Sequence, residues 1–134
     1  MTISIARMTN ADATFYPTLG PFLCRRDVAA AVGAPLWDDD GKVWAVARDE
    51  AGRVLGFAGV TVKGDVATVC SAYVPGDAPE VWAAVLGEVI DAAKGRATTA
   101  RATVATELPS FRAAGFKKVR DAGRFAVVER AVRA

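Results

Sequence analysis

The stretch VLGFAGVTVKGDVATVCSAYVP, residues 54–75, decides the fold of this chain. Apolar residues alternate with small or polar ones on both sides of Gly64-Asp65, which is the period-two pattern of two half-buried strands joined by a tight turn. The preceding segment KVWAVARD, residues 42–49, has the same period and is followed by a turn at 49–52. The sequence therefore predicts three consecutive antiparallel strands at the centre of the chain.

On the N-terminal side, a short first strand and two helices are predicted. Residues 9–12, TNAD, have the form of a helix N-cap with an acid at the third position. Residues 17–21 carry two prolines and a glycine and are expected to interrupt that helix. The segment FLCRRDVAAAVGA, residues 22–34, repeats apolar side chains at helical spacing and predicts a second helix ending near Gly33.

On the C-terminal side, an amphipathic helix is predicted over residues 78–94, a fifth strand over 101–106 and a short helix over 107–116. Gly115 suits the left-handed position at the end of that helix, with Phe116 packing back on its last turn. Residues 117–132 predict two strands joined by a turn. These elements predict the fold class α/β (α+β), with about six to seven strands.

Length and composition limit the protein classes. The chain has 134 residues, 52% of them apolar, and is expected to be a single domain over 1–134. A formal net charge of +2 argues against a dedicated nucleic-acid module. Histidine is absent and the two cysteines are far apart in sequence, so no metal site is expected. Without a signal peptide or a long apolar run, we expect a cytoplasmic protein with no membrane contact.

The order of these elements resembles that of the GNAT superfamily of N-acyltransferases. The resemblance implies a mixed, mostly antiparallel sheet of about six to seven strands with helices on both faces. The resemblance covers nearly the whole chain and is carried best by residues 54–75 and by FRAAGFKKVRDAGRFAVVER, residues 111–130. It implies that acyl-CoA, most simply acetyl-CoA, lies in a gap between the fourth and fifth strands. It also implies transfer of the acyl group to the amine of a small molecule or a protein. A non-catalytic module on the same scaffold could instead form a homodimer through edge strands of the C-terminal region.

The resemblance also implies which residues contact the cofactor. The fourth strand would present its backbone to the pantetheine arm, the following loop would hold the pyrophosphate, and one aromatic residue on the last helix would face the thioester. In this sequence these positions are Cys70, Ser71, Ala72, Tyr73, Val74, Asp77, Ala78, Val81, Trp82 and Phe111.

The pyrophosphate loop departs from the family pattern RxxGxG/A, because Asp77, Glu80 and Trp82 occupy its three key positions. Asp77 to Glu80 has the spacing of a capping box, which would use the free amides of the following helix. The sequence thus predicts that this loop binds a diphosphate weakly. Two alternatives stay open: a catalytically degenerate binding module without CoA, and an enzyme of this fold with another donor or a macromolecular substrate.

Catalytic candidates are few. Where many family members have a proton-donating tyrosine, this chain has Phe111, which has no proton to give. Tyr73 and Glu107 are the catalytic candidates, although Tyr73 could be a packing residue and Glu107 a first-turn acid that favours the helix dipole. Tyr16 and Arg25 lie in the helical region that contacts acceptor substrates in this family, and both are predicted to line the acceptor site.

Overall fold

The computed structural model describes residues 2–105 and 109–133. Seven strands form one sheet in the order β1-β2-β3-β4-β5-β7-β6. The strands are β1 Ser4–Met8, β2 Val43–Arg48, β3 Val54–Lys63, β4 Val66–Tyr73, β5 Thr99–Ala105, β6 Lys117–Ala122 and β7 Phe125–Ala131. All neighbouring pairs are antiparallel except β4 and β5, which are parallel. The predicted fold class is confirmed.

Over the described ranges, four helices cover the two faces of the sheet: α1 Phe15–Leu23, α2 Arg26–Val32, α3 Pro79–Ala93 and α4 Pro109–Ala113. Because side chains alternate along a strand, neighbouring residues of β3 enter different cores. Phe57 packs in the core under α1 and α2, whereas Ala58 packs in the core under α3 and α4. The sheet is thus buried on both faces at its centre.

The N-terminal helices differ from the prediction. Asp12 accepts a hydrogen bond from the Thr9 amide at 2.7 Å, which closes a turn and does not begin a helix. The helix α1 begins at Phe15 and has no side-chain cap. Pro21 lies inside it, at its seventh residue, so the predicted interruption is wrong and the break falls after Leu23. The predicted end of α2 is confirmed, since Gly33 has φ of 89° and donates to the Ala29 carbonyl.

At the C-terminal end, the prediction for the last described helix is confirmed. Gly115 has φ of 93°, in the region that favours glycine. The Phe116 amide donates to the Phe111 carbonyl at 3.0 Å, and the two rings meet edge to face with centroids 5.3 Å apart. This contact fixes α4 on the sheet beside α3. In the described part of the chain, no helix is both long and apolar enough to span a bilayer.

Candidate active site

The central feature of the site is the divergence of β4 from β5. The two strands pair only over Val66–Thr68 and Thr99–Arg101. Beyond this point β4 continues to Tyr73 and β5 continues to Ala105, while β5 stays paired with β7 on its other edge. The facing edges therefore leave backbone donors and acceptors without strand partners, and such groups need a partner from water or a ligand.

A bulge in β4 lies at this divergence. Gly59 of β3 is opposite Cys70, and Phe57 is opposite Tyr73, so that Ser71 and Ala72 together face the single residue Ala58. Ser71 has φ of 54°, a left-handed conformation that is uncommon for a residue with a side chain. A bulge re-aims side chains and bends its strand, and bulges are frequent beside active sites. Here the bulge follows Thr68, the last residue of β4 that pairs with β5, by three positions.

Lys42 crosses the sheet to reach this bulge. Its side chain passes over Gly59, where an added Cβ would overlap Lys42 Cε. Its Nζ donates to Ser71 Oγ at 2.8 Å and to the Trp37 carbonyl at 2.8 Å, and it lies 4.1 Å from the centroid of the Trp44 ring. The residue is only 2% exposed. Sequence reasoning missed this lysine because it stands beside a polar turn.

Burial lowers the pKa of Lys42 below its usual value near 10.5, because the charged ammonium loses hydration. Cys70, Asp39 and Asp38 act in the opposite direction without reversing that shift. Below this lowered pKa, burial of the charged ammonium reduces the stability of the folded state. The stability increases as pH rises from that value towards 10.5, because the unfolded state then binds more protons than the folded state.

We therefore expect Lys42→Met to change how stability depends on pH. Measured by urea unfolding in a Cys70→Ala background, which removes the neighbouring thiol, the chain with Lys42 should gain stability relative to the methionine variant as pH rises from the lowered pKa of Lys42 towards about 10.5. Lys63→Met, at the exposed end of β3, is the matched control. Parallel stability curves for the chain with Lys42 and for the Lys42→Met variant would contradict the lowered pKa.

The structure of the loop after β4 differs from the predicted capping box. The N-cap of α3 is Ala78, and no side chain caps the helix. Asp77 has φ of 52°, and its Oδ1 accepts a hydrogen bond from the Trp82 indole Nε1 at 3.1 Å. The amides of Val81 and Trp82 donate to the Ala78 carbonyl. Among the described hydrogen bonds, none uses the amides of Ala78 and Glu80, so the prediction that these donors are satisfied by side chains is wrong.

Trp82 does not cover those amides either. The indole is buried in the core under α3, with its ring centroid 5.6 Å from that of Phe111. This contact joins α3 to α4. Phe111 is buried too. Its burial and its lack of a transferable proton both indicate a packing residue. The bulk of Trp82 therefore lies on the core side of the helix.

The other predicted residues are placed as follows. Tyr73 is half-buried between the rings of Phe57 and Phe22. Tyr16 is 51% exposed and donates to an Asp38 carboxylate oxygen, a hydrogen bond that raises the pKa of the phenol. Glu107 lies outside the described residues.

Arg25 lies at the start of α2 with its guanidinium bound to Asp27, the shorter nitrogen–oxygen distance being 2.6 Å. Its Cζ lies 5.6 Å from the centroid of the Phe22 ring. Phe22 also packs on Phe57 and Tyr73, so the structure brings Arg25 to the same aromatic cluster as Tyr73.

Within the described residues, no group of three or more His, Cys, Asp or Glu side chains is arranged to hold a metal ion.

Comparisons with solved structures identify the fold. The chain superposes on the ribosomal-protein-S18-alanine N-acetyltransferase of Escherichia coli with a TM-score of 0.71 and 16% identity, covering 99% of this chain and 96% of the other. It is similar to a GNAT superfamily phosphinothricin acetyltransferase from Sinorhizobium meliloti in complex with AcCoA, with a TM-score of 0.65, 19% identity, and coverage of 99% and 90%.

A third similar structure is spermidine N-acetyltransferase from Vibrio cholerae in complex with CoA and spermine, with a TM-score of 0.65, 11% identity, and coverage of 97% and 95%. No protein-family model matches the chain, and no curated protein matches it. The fold is that of the GNAT acetyltransferases, as the sequence resemblance implied.

Proposed function

We propose that this protein is an N-acyltransferase that moves an acyl group, most simply acetyl, from CoA to an amine of a small molecule or a protein. The observation that carries the proposal is the divergence of β4 from β5 beyond Thr68, in a chain with this fold. A gap between parallel strands offers backbone groups on its edges to an extended ligand. The solved structures of this fold that contain AcCoA or CoA support a CoA donor.

The residues present fit acyl-CoA in part. The backbone of β4 from Cys70 to Val74 would hold the pantetheine arm, and the amides of Ala78 and Glu80 would face the pyrophosphate. Pro79 supplies no amide hydrogen, and residues 75–82 contain no basic side chain. Within residues 75–82, the contacts to the phosphates would therefore come from backbone dipoles. Bound there, the cofactor supplies an acyl group activated as a thioester.

The chain's own contribution is mainly positioning. The bulge at Ser71 changes the register of β4 against β3, and the ring contact between Trp82 and Phe111 fixes the spacing of α3 and α4. Holding an amine against a thioester in the correct geometry accelerates its attack even without a strong acid or base. Tyr73, at the end of β4, is the hydroxyl on that strand nearest the loop, and with Tyr16 and Arg25 we assign it to the acceptor side.

The second reading is a binding module of the same fold that does not use CoA. It is favoured by Asp77 and Glu80, whose carboxylates stand at the start of α3 where a diphosphate would carry like charge. The two readings differ in one measurable property. Acetyl-CoA stabilises the folded enzyme by mass action, whereas the module shows no response.

The test measures the melting temperature with acetyl-CoA up to millimolar concentration and the release of free thiol over a panel of amines. We expect a rise in melting temperature and thiol release with at least one amine. A flat melting curve together with no thiol release would leave the binding module as the better reading.

A charge variant sharpens this test. Glu80→Gln removes an exposed negative charge beside the proposed phosphate position and should tighten CoA binding by up to about fivefold, an effect that salt should diminish. Asp65→Asn is the matched control. It makes the same charge change just before β4, a strand of eight residues and therefore about 26 Å long, whereas Glu80 lies beyond the far end of that strand. Equal effects of the two variants would show that the phosphates do not lie near Glu80.

A further inference from the structure

We propose that Ser71 and Lys42 form a nucleophile and its general base, a pair that takes an acyl group from an ester or thioester onto Ser71 Oγ. The pair is separate from the residues assigned above to the phosphates. The proposal does not rest on CoA binding, because its chemistry requires only an activated acyl group at the bulge of β4.

The geometry of the pair matches that of an activated serine. Lys42 Nζ lies 2.8 Å from Ser71 Oγ, within the range for direct proton transfer. The Trp37 carbonyl accepts a second hydrogen bond from the same nitrogen at 2.8 Å and orients it. Nucleophile, base and an orienting third group are the three parts that such a site needs. They come from β4, the residue before β2 and the preceding loop.

The backbone at Ser71 is a second, independent observation. A serine with φ of 54° is held in a strained conformation, and such strain is concentrated at functional sites. The bulge takes Ser71 out of the regular ladder three residues after Thr68, the last residue of β4 that pairs with β5. Both residues are buried, with Ser71 6% exposed and Lys42 2% exposed.

The surroundings suit a neutral amine. Burial lowers the pKa of Lys42, so a larger fraction is uncharged near neutral pH than for an exposed lysine. The ionisable groups that act on it are Cys70 on β4 and Asp38 and Asp39 in the loop before β2, all of which oppose the shift. The face of the Trp44 ring, 4.1 Å from Nζ, attracts the charged form as well. A neutral lysine accepts the hydroxyl proton while still donating to the Trp37 carbonyl.

The step is balanced without any further reagent. Ser71 Oγ forms a bond to the acyl carbon, and the bond from that carbon to the leaving oxygen or sulfur breaks. The hydroxyl proton passes to Lys42 Nζ and then to the leaving group, which departs as an alcohol or thiol. An amine or water then takes the acyl group from Ser71, and Lys42 moves the proton in the same way.

The test uses p-nitrophenyl acetate and a fluorophosphonate as probes on the full chain, with the modified residue located by mass spectrometry. We expect one acyl or phosphonyl group on Ser71. Ser71→Ala should lose that label completely, and Lys42→Met should slow labelling by about 100-fold or more. Ser4→Ala on the exposed outer strand β1 and Lys63→Met are the matched controls and should label like the unmodified chain.

The pH dependence of labelling tests whether Lys42 acts as a base, because a lysine with only a structural role would not change it. This test can be made even if Lys42→Met does not fold. Labelling of the unmodified chain should rise with pH and level off below about 10.5, when the lysine is fully neutral. Label on Cys70, no label at Ser71, or a tenfold rise per pH unit that continues through pH ~10.5 would each overturn the proposal. Because neither probe contains CoA, failure here is distinguishable from failure of the proposed CoA-dependent function.

Discussion

Replacing Phe57 with alanine is expected to lower the free energy of unfolding by about 3–5 kcal/mol, as for other buried phenylalanines. Phe57 is fully buried in the core under α1 and α2. Its ring centroid lies 5.4 Å from that of Phe22, 5.9 Å from Trp44 and 5.7 Å from Tyr73. The variant leaves a cavity that joins three rigid rings, and such rings relax poorly into a void.

Urea unfolding followed by tryptophan fluorescence measures this loss. Phe125→Ala on β7 is the matched control, since it deletes the same side chain at a half-buried position and should cost about 1–2 kcal/mol. If Phe57→Ala cost no more than Phe125→Ala, the aromatic cluster would be able to collapse around the missing ring, and its rigidity would be disproved.

Gly59→Ala is expected to cost about 2–3 kcal/mol, because the added methyl group overlaps Lys42 Cε and lies 3.3 Å from the Cys70 carbonyl oxygen. Lys42 cannot move aside cheaply, since it would lose its hydrogen bonds to Ser71 and Trp37 in a buried site. The same substitution should abolish any labelling of Ser71.

A double-mutant cycle separates the overlap from a general cost of adding a methyl group. In a Lys42→Ala background the methyl of Gly59→Ala enters vacated space, so its cost should fall below about 1 kcal/mol. Gly56→Ala is the control: its Cβ would lie 2.9 Å from Val74 Cγ2 and 3.0 Å from the Tyr73 carbonyl oxygen, away from the lysine. Its cost should be the same in both backgrounds. Additive costs at Gly59 would show that Lys42 does not cross the sheet over this glycine.

The amino-acid sequence by itself determined the strands and their order along the chain. Period-two alternation over 42–49 and 54–74, interrupted only by short turns, is a local property, because each strand must turn its apolar face to the core. The sequence also predicted the left-handed end of α4, because glycine at position 115 suits that conformation. Phe116 then packs back on Phe111. The resemblance to the GNAT fold followed from this order of elements.

Tertiary structure decided the chemistry of the site. The spacing of Asp77 and Glu80 predicted a capping box. In the structure, Trp82 packs against Phe111 in the core, and its indole donates a hydrogen bond to the Asp77 carboxylate. The pair of Lys42 and Ser71 is separated by 29 positions in sequence. It forms only because β2, β3 and β4 pair in one register, Gly59 leaves room between them, and a bulge turns Ser71 towards the lysine. Contacts of this kind depend on register and packing across the sheet, which local sequence patterns do not encode.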